Sequence, residues 1–143
     1  MLDEPLRKVL NPEKLLTAAP ETAVHVAAKR MAESKAGAIV VVEGERPVGI
    51  FTERDAVFRV MAEERDPATT LLSEVMTPQP KCLAPDDSLG YAMVMMHEGG
   101  FRHIPVVEDS RVIGIISARK ALDPDLEEFE SEAERRRRFR SKA

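Results

Sequence analysis

Gly49-Ile50-Phe51-Thr52-Glu53-Arg54-Asp55 is the stretch on which the reading of this chain turns. It leaves an apolar run, Pro47 to Phe51, that reads as a buried strand. It then sets a hydroxyl at Thr52 and, three residues on, a carboxylate at Asp55, where a helix is expected to begin. Positions i and i+3 of a first helical turn lie on one side, so the two side chains can converge on one ligand. Unpaired backbone N–H groups and the positive end of the helix dipole favour an anionic or phosphorylated ligand there. The same residues also read as an ordinary helix start, with Thr52 as N-cap and Glu53 and Asp55 as first-turn acids. Taken alone, the stretch favours that ordinary reading.

A chain of 143 residues fits one domain or a compact pair of small repeats. Its 43% hydrophobic and 32% charged residues make a globular composition, and with 4% aromatics the core must be aliphatic. The formal charge of −4 gives no general attraction to nucleic acid or an anionic membrane. No apolar run approaches the length of a membrane span, and Met1-Leu2-Asp3-Glu4-Pro5 does not read as a signal peptide. A cytoplasmic protein is expected. Cys82 stands alone, which excludes an internal disulfide and a cysteine zinc site.

Outward from the central stretch, Leu6, Val9 and Leu10 suggest a short helix, and Leu16-Thr17-Ala18 a short first strand. Thr22 is the expected N-cap of a helix whose apolar face is Val24, Ala27, Ala28 and Met31. Ala38 to Val42 is a β-branched run without alternation, hence a strand buried on both faces. Glu43-Gly44-Glu45-Arg46 turns it into the strand Pro47 to Phe51. A second helix is expected over Glu53 to Glu64, with Val57, Val60 and Met61 inward. The unit is strand–helix–strand–strand–helix.

After a linker, Asp66 to Thr70, the pattern begins again. An offset of 65 aligns 20–55 with 85–120 without a gap, and twelve of the thirty-six pairs are identical, among them Gly49/Gly114, Ile50/Ile115 and Arg54/Arg119. Average residue usage would give roughly two. The chain is an internal duplication. Each copy, near 60 residues, is too small to be comfortably stable alone, so the two are expected to bury their sheets against each other about a pseudo-two-fold axis. That symmetry implies two related clefts, one at each strand–turn–helix corner.

Gly49 to Asp55, its echo Gly114-Ile115-Ile116-Ser117, the strand Phe101-Arg102-His103-Ile104-Pro105-Val106-Val107 and the opening Val75-Met76-Thr77-Pro78 resemble tandem CBS (cystathionine β-synthase) domains. The resemblance covers about residues 8 to 122. It implies an α/β (α+β) fold of two β-α-β-β-α repeats, at 8–65 and 72–122, with a charged C-terminal helix or tail at 123–143. No catalytic domain is left over, so a stand-alone CBS pair is expected. The resemblance further implies a regulatory module for adenosine-containing ligands: AMP, ADP, ATP or S-adenosylmethionine. In that family the Asp of the motif holds the ribose hydroxyls, the preceding Thr or Ser contacts ribose or phosphate, and basic residues of the partner repeat reach the phosphates.

Carried over position by position, the two clefts are unequal. The first has Thr52 and Asp55, with Arg102 and His103 facing them from the second repeat. A carboxylate that accepts from two hydroxyls, opposite a guanidinium that binds phosphate bidentately, suits a nucleotide. The second has Ser117, but Lys120 stands where the ribose-binding Asp should be, and a Lys cannot accept from hydroxyls. Its partner positions, Gly37 and Ala38, carry no charge. One good site is expected, with Ser117 and Lys120 marking a degenerate second. Each lost charged hydrogen bond is worth roughly 1.5–3 kcal/mol.

Plainer roles stand beside these. Arg102-His103 also fits a surface pair at a strand edge, and Lys120 a surface partner of Asp123 or Glu127. Arg54 recurs as Arg119, which fits packing or capping as well as a phosphate clamp. His25 falls on an exposed helix face, and Met93 and Met96 have core spacing. In the tail, acids from Glu127 to Glu134 precede Arg135 to Arg138, the order that complements a helix dipole. Glu132/Arg136 and Glu134/Arg138 are i,i+4 pairs. A solvated helix is the sufficient reading. A stripe of Leu126, Phe129 and Ala133 suggests docking on the body or on a second subunit, and the preceding acids argue against nucleic acid.

Three functions compete. The leading one is a sensor that binds adenine nucleotide in the first cleft, acts as a homodimer and controls an unidentified protein partner. It needs no obligatory cofactor and no membrane. The second is a dimeric interaction or scaffold module with no physiological nucleotide. The third, an enzyme, is not expected: there is no nucleophile–base pair, no metal-ligand spacing and no phosphate-cradling glycine loop.

Overall fold

Leu6–Val9 forms helix α1, and a 3-10 turn at Pro12–Lys14 leads to strand β1 (Thr17–Ala18), helix α2 (Val24–Ser34), strand β2 (Ala38–Glu43) and strand β3 (Arg46–Thr52). Helix α3 (Glu53–Asp55) runs straight into a π-helical turn at Ala56–Met61. Helix α4 (Leu72–Val75), strand β4 (Thr77–Pro78), helix α5 (Leu89–Gly99), strand β5 (His103–Glu108) and strand β6 (Arg111–Ser117) complete the order. This computed structural model describes residues 2–119 and 135–137. Lys120 and most of the expected C-terminal helix lie outside the described residues; 135–137 are helical and exposed.

Both copies contain the hairpin read from the β-branched runs. β2 pairs antiparallel with β3, and β5 with β6, each with a register shift at the same place, Val41/Val42 and Val106/Val107. β1 joins β2 in parallel, Thr17 to Val40 and Ala18 to Val41. In the second copy this pairing shrinks to one bridge, Leu83 to Val106. Pro105 stands where the first copy has Val40, whose N–H donates to Leu16 O at 2.9 Å. Proline has no N–H to give, so the second ladder cannot extend.

The segment that leads into each repeat packs on the other one. Leu6 N–H donates to Asp87 O and Arg7 N–H to Pro85 O, while Leu72 N–H donates to Thr22 O and Ser73 N–H to Pro20 O. Leu6 accordingly lies in the second core, with Leu89, Ala92, Met96, Ile104 and Ile116. Leu72 and Val75 lie in the first, with Val24, Met31, Ile39, Val41 and Phe51. Two turns repeat across this exchange: Leu10-Asn11-Pro12 lies over Gly114 as Met76-Thr77-Pro78 lies over Gly49. Each glycine leaves room for the crossing side chain.

This exchange corrects one expectation. Thr22 does not cap α2. The helix starts after Ala23, which has no side-chain cap. The first N–H groups of α2 are taken by linker carbonyls, Val24 N–H to Thr70 O at 2.9 Å and His25 N–H to Pro67 O at 2.8 Å. A backbone acceptor supplied by tertiary packing does the work of a cap.

A second correction concerns the helix expected to run from Glu53 to Glu64. Ala62 N–H donates to Val57 O and Arg65 N–H to Val60 O, five residues back. The wider turn keeps Ala56 and Val60 against the core, but Val57 and Met61 are 48% and 72% exposed, not inward. Ala28, expected on the inner face of α2, is also exposed. His25 is exposed, and Met96 is buried with Met93 packed against the same core, as their spacing implies.

The repeats meet through β3 and β6, which contact each other. Val112 N–H donates to Glu45 O at 2.9 Å, and Arg111 Nε lies 3.1 Å from Glu45 Oε2. The symmetric backbone bond cannot form, because Pro47 replaces Val112 in the first copy. No helix among the described residues is long and apolar enough to cross a membrane.

Candidate functional site

At the end of β3 the chain leaves extended geometry at Thr52, and the next turn is closed by a capping box. Asp55 N–H donates to Thr52 Oγ1 at 3.2 Å, and Thr52 N–H donates to Asp55 Oδ2 at 2.9 Å. Thr52 Oγ1 also lies 3.2 Å from that Oδ2. Both sequence readings of the stretch are therefore compatible. Oδ2 is engaged by the cap, whereas Oδ1 faces Arg59 Nε at 3.5 Å and keeps lone-pair capacity for a further donor. Asp55 is 6% exposed, and this partly used carboxylate sits at the floor of the corner.

His103 comes to this corner from the second repeat. A Cβ built on Gly37 would lie 3.0 Å from His103 Nε2 and 3.4 Å from Glu53 Oε1, so imidazole and carboxylate converge on one point. Glu53 N–H in turn donates to Gly37 O at 3.1 Å. Burial lowers the His103 pKa below its ordinary value; Glu53 opposes the shift and Arg102 adds to it. Arg102 is exposed; its carbonyl accepts from Ala118 N–H at 2.8 Å, while its guanidinium has no hydrogen bond or ion pair among the described residues.

Arg54 has a structural task. Its Nη1 donates to Gly100 O at 3.3 Å, at the end of α5, and so spans the two repeats. Ser117 ends β6 in register with His103. Lys120, its expected companion in the second cleft, lies outside the described residues.

The structure thus brings Thr52, Asp55 and His103 to one corner. It adds two residues that sequence reasoning missed. Glu53 reads from the sequence only as a first-turn acid, yet its carboxylate faces His103. Arg59 has no place in the sequence reading, although its i,i+4 spacing from Asp55 is a usable signal. A cavity of about 470 Å³ opens between α2 and the turn after Thr52 and is lined by Met31, Lys35, Phe51, Glu53 and Val57. Thr52, Asp55, Arg102 and His103 do not line it; it lies on the helical side of the first repeat. No cluster of three or more metal-ligating side chains occurs among the described residues.

A family model for the CBS domain matches residues 6–62 and 72–124. A CBS domain-containing protein of Arabidopsis thaliana is 36% identical over 128 residues, which cover 89% of this chain and 24% of that protein. The chain spans 17% to 24% of the length of three such Arabidopsis relatives. Among solved structures, a CBS-domain protein from Burkholderia ambifaria has a TM-score of 0.77 at 32% identity, covering 85% of this chain and 96% of that one. A CBS domain protein from Pyrobaculum aerophilum, complexed with AMP, has a TM-score of 0.74 at 21% identity, covering 81% and 88%. The CBS domain pair of protein MJ0100, complexed with 5′-methylthioadenosine and S-adenosyl-L-methionine, has a TM-score of 0.72 at 22% identity, covering 81% and 90%.

Proposed function

The chain belongs to the CBS domain family, and on that premise we propose that it is a regulatory module that senses an adenosine ligand, AMP, ADP, ATP or a related adenosyl compound, in the cleft between its repeats. Asp55 accepts from the ribose hydroxyls through Oδ1, and Thr52 contacts ribose or phosphate. Arg102 and His103 meet the phosphate end. The observation that carries this reading is the approach of His103 to Gly37 and Glu53 across the repeat interface, beside an Arg102 whose guanidinium has no partner among the described residues. It brings the imidazole of one repeat to the Glu53 carboxylate of the other. Two of the fold's solved neighbours hold adenosyl ligands, which supports the ligand class.

The protein acts by binding and not by turnover, as a cytoplasmic homodimer whose surface responds to the occupied cleft and controls a protein partner. Calorimetric titration of AMP, ADP and ATP tests the reading. Heat with wild type, and a loss of affinity of more than about tenfold in Asp55→Ala, is expected from removing a charged hydrogen-bond acceptor. No heat with any nucleotide, or equal affinity in the variant, sinks it.

A second reading, a dimeric interaction module without physiological nucleotide, draws on the apolar side chains of the outer helical face. Phe58 and Met61 are 61% and 72% exposed. Under it, Asp55→Ala leaves partner binding intact and removal of residues 123–143 abolishes it.

A further inference from the structure

Arg59 connects Asp55 to the segment that joins the repeats. Its Nε lies 3.5 Å from Asp55 Oδ1. Its Nη1 donates to Met76 O at 3.0 Å and approaches Val75 O at 3.4 Å, the carbonyls that end α4. A planar guanidinium offers donors in several fixed directions, so one side chain can hold a carboxylate and cap a helix C-terminus together.

What Arg59 holds is itself tied to the sheet. The Met76 side chain lies over Gly49, β4 pairs with β3, and Gln79 N–H donates to Val48 O at 3.1 Å. Residues 75–79 therefore join the end of α4 to the strand that delivers Thr52 and Asp55. The duplication supplies a comparison. At the offset of 65, Lys120 stands for Asp55 and Pro124 for Arg59. Carboxylate and guanidinium are missing together from the second copy, as expected if they work as a pair.

We propose that Arg59 is a positioning residue that couples the state of the Asp55 carboxylate to the connecting segment 75–79. Ribose hydroxyls that donate to Oδ1 compete for the lone pairs facing Arg59. Occupancy of the cleft then changes the hold of Arg59 on the Val75 and Met76 carbonyls. The inference rests on the proposed function for the ligand, but the coupling itself is a property of the free protein.

Amide hydrogen exchange at Met76 and Gln79 in the unliganded full chain tests it, with Asp55→Asn, Arg59→Lys and the double variant. Asparagine still offers an oxygen to the Thr52 N–H, so the cap survives while the charge is lost. Coupled contacting residues should make each single variant exchange about fivefold faster at these amides, and the double variant no faster than either. Unchanged exchange in Asp55→Asn, or effects that multiply in the double variant, overturns the proposal. Exchange at Ile39, deep in the first core, serves as the control for intact folding. With AMP as the added probe, wild type should change its exchange at Gln79 while Arg59→Lys binds AMP without that change. The same change in both overturns the relay. Absence of heat with every nucleotide removes the ligand reading and leaves the free-protein cycle to decide on Arg59.

Discussion

His103 of the second repeat lies against Gly37 of the first, with Nε2 3.0 Å from the place a Cβ would take. The contact has two consequences: a residue of one repeat sets the shape of the other's corner, and glycine at position 37 is what admits the ring. Gly37→Ala should push the imidazole aside by a few tenths of an ångström. The displaced atoms are the ends of His103 and Glu53, so stability should change by less than about 1 kcal/mol. The affinity for AMP should fall while that for adenosine holds, as a calorimetric comparison of the two ligands would show. Equal losses for both would place His103 away from the phosphate.

Removal of Asp55 has a cost apart from any ligand. Asp55→Ala deletes one half of the capping box with Thr52, and loss of a cap costs about 0.5–2 kcal/mol. Urea unfolding of Asp55→Ala and Asp55→Asn should separate the roles, with asparagine retaining most of the stability. Ser117→Ala, in the second copy of the corner, should leave nucleotide affinity unchanged.

The pH dependence of stability should carry the mark of His103. Its folded pKa lies below the ordinary 6.5, so between the two values the unfolded chain binds more protons than the folded one. Stability therefore rises with pH through that window: the contribution is present above 6.5 and lost as the pH falls below it. The thermal midpoint of wild type should drop on acidification from pH 7 more steeply than that of His103→Gln. Parallel curves would contradict the assignment.

The two crossing glycines should differ in their tolerance. A Cβ on Gly49 would stand 2.9 Å from Met76 Cγ and closer still to its Sδ, whereas on Gly114 it would stand 2.9 Å from Leu10 Cδ2, the end of that side chain. The first clash involves the middle of a side chain and the second its end. Gly49→Ala should cost about 1–3 kcal/mol by overpacking, and Gly114→Ala less. Denaturant midpoints of the two variants give the order directly.

The corner was legible in the sequence because its signals are local. Thr52 and Asp55 are three residues apart, and a first helical turn fixes their relation whatever surrounds it. The duplication made the hairpins and their helices readable twice, and the proline at 105 explains where the copies part. Arg54 and Val57 were harder to read. Whether Arg54 clamps a phosphate or reaches Gly100 depends on a residue 46 positions away. Whether Val57 faces inward depends on a π-helical turn that apolar spacing does not report.

The amino-acid sequence by itself determined the repeat, the strand–turn–helix corner, the inequality of its two copies and the CBS family, since these rest on residue identity and short spacing. Only the tertiary structure decided that each leading segment packs on the opposite repeat, that linker carbonyls cap α2, that Glu53 meets His103, and that Arg59 joins Asp55 to Met76. All four are contacts between segments distant in the chain or set by an irregular turn. Periodicity tells which face of an element is apolar; the partner that covers it is chosen by the packing of the whole chain.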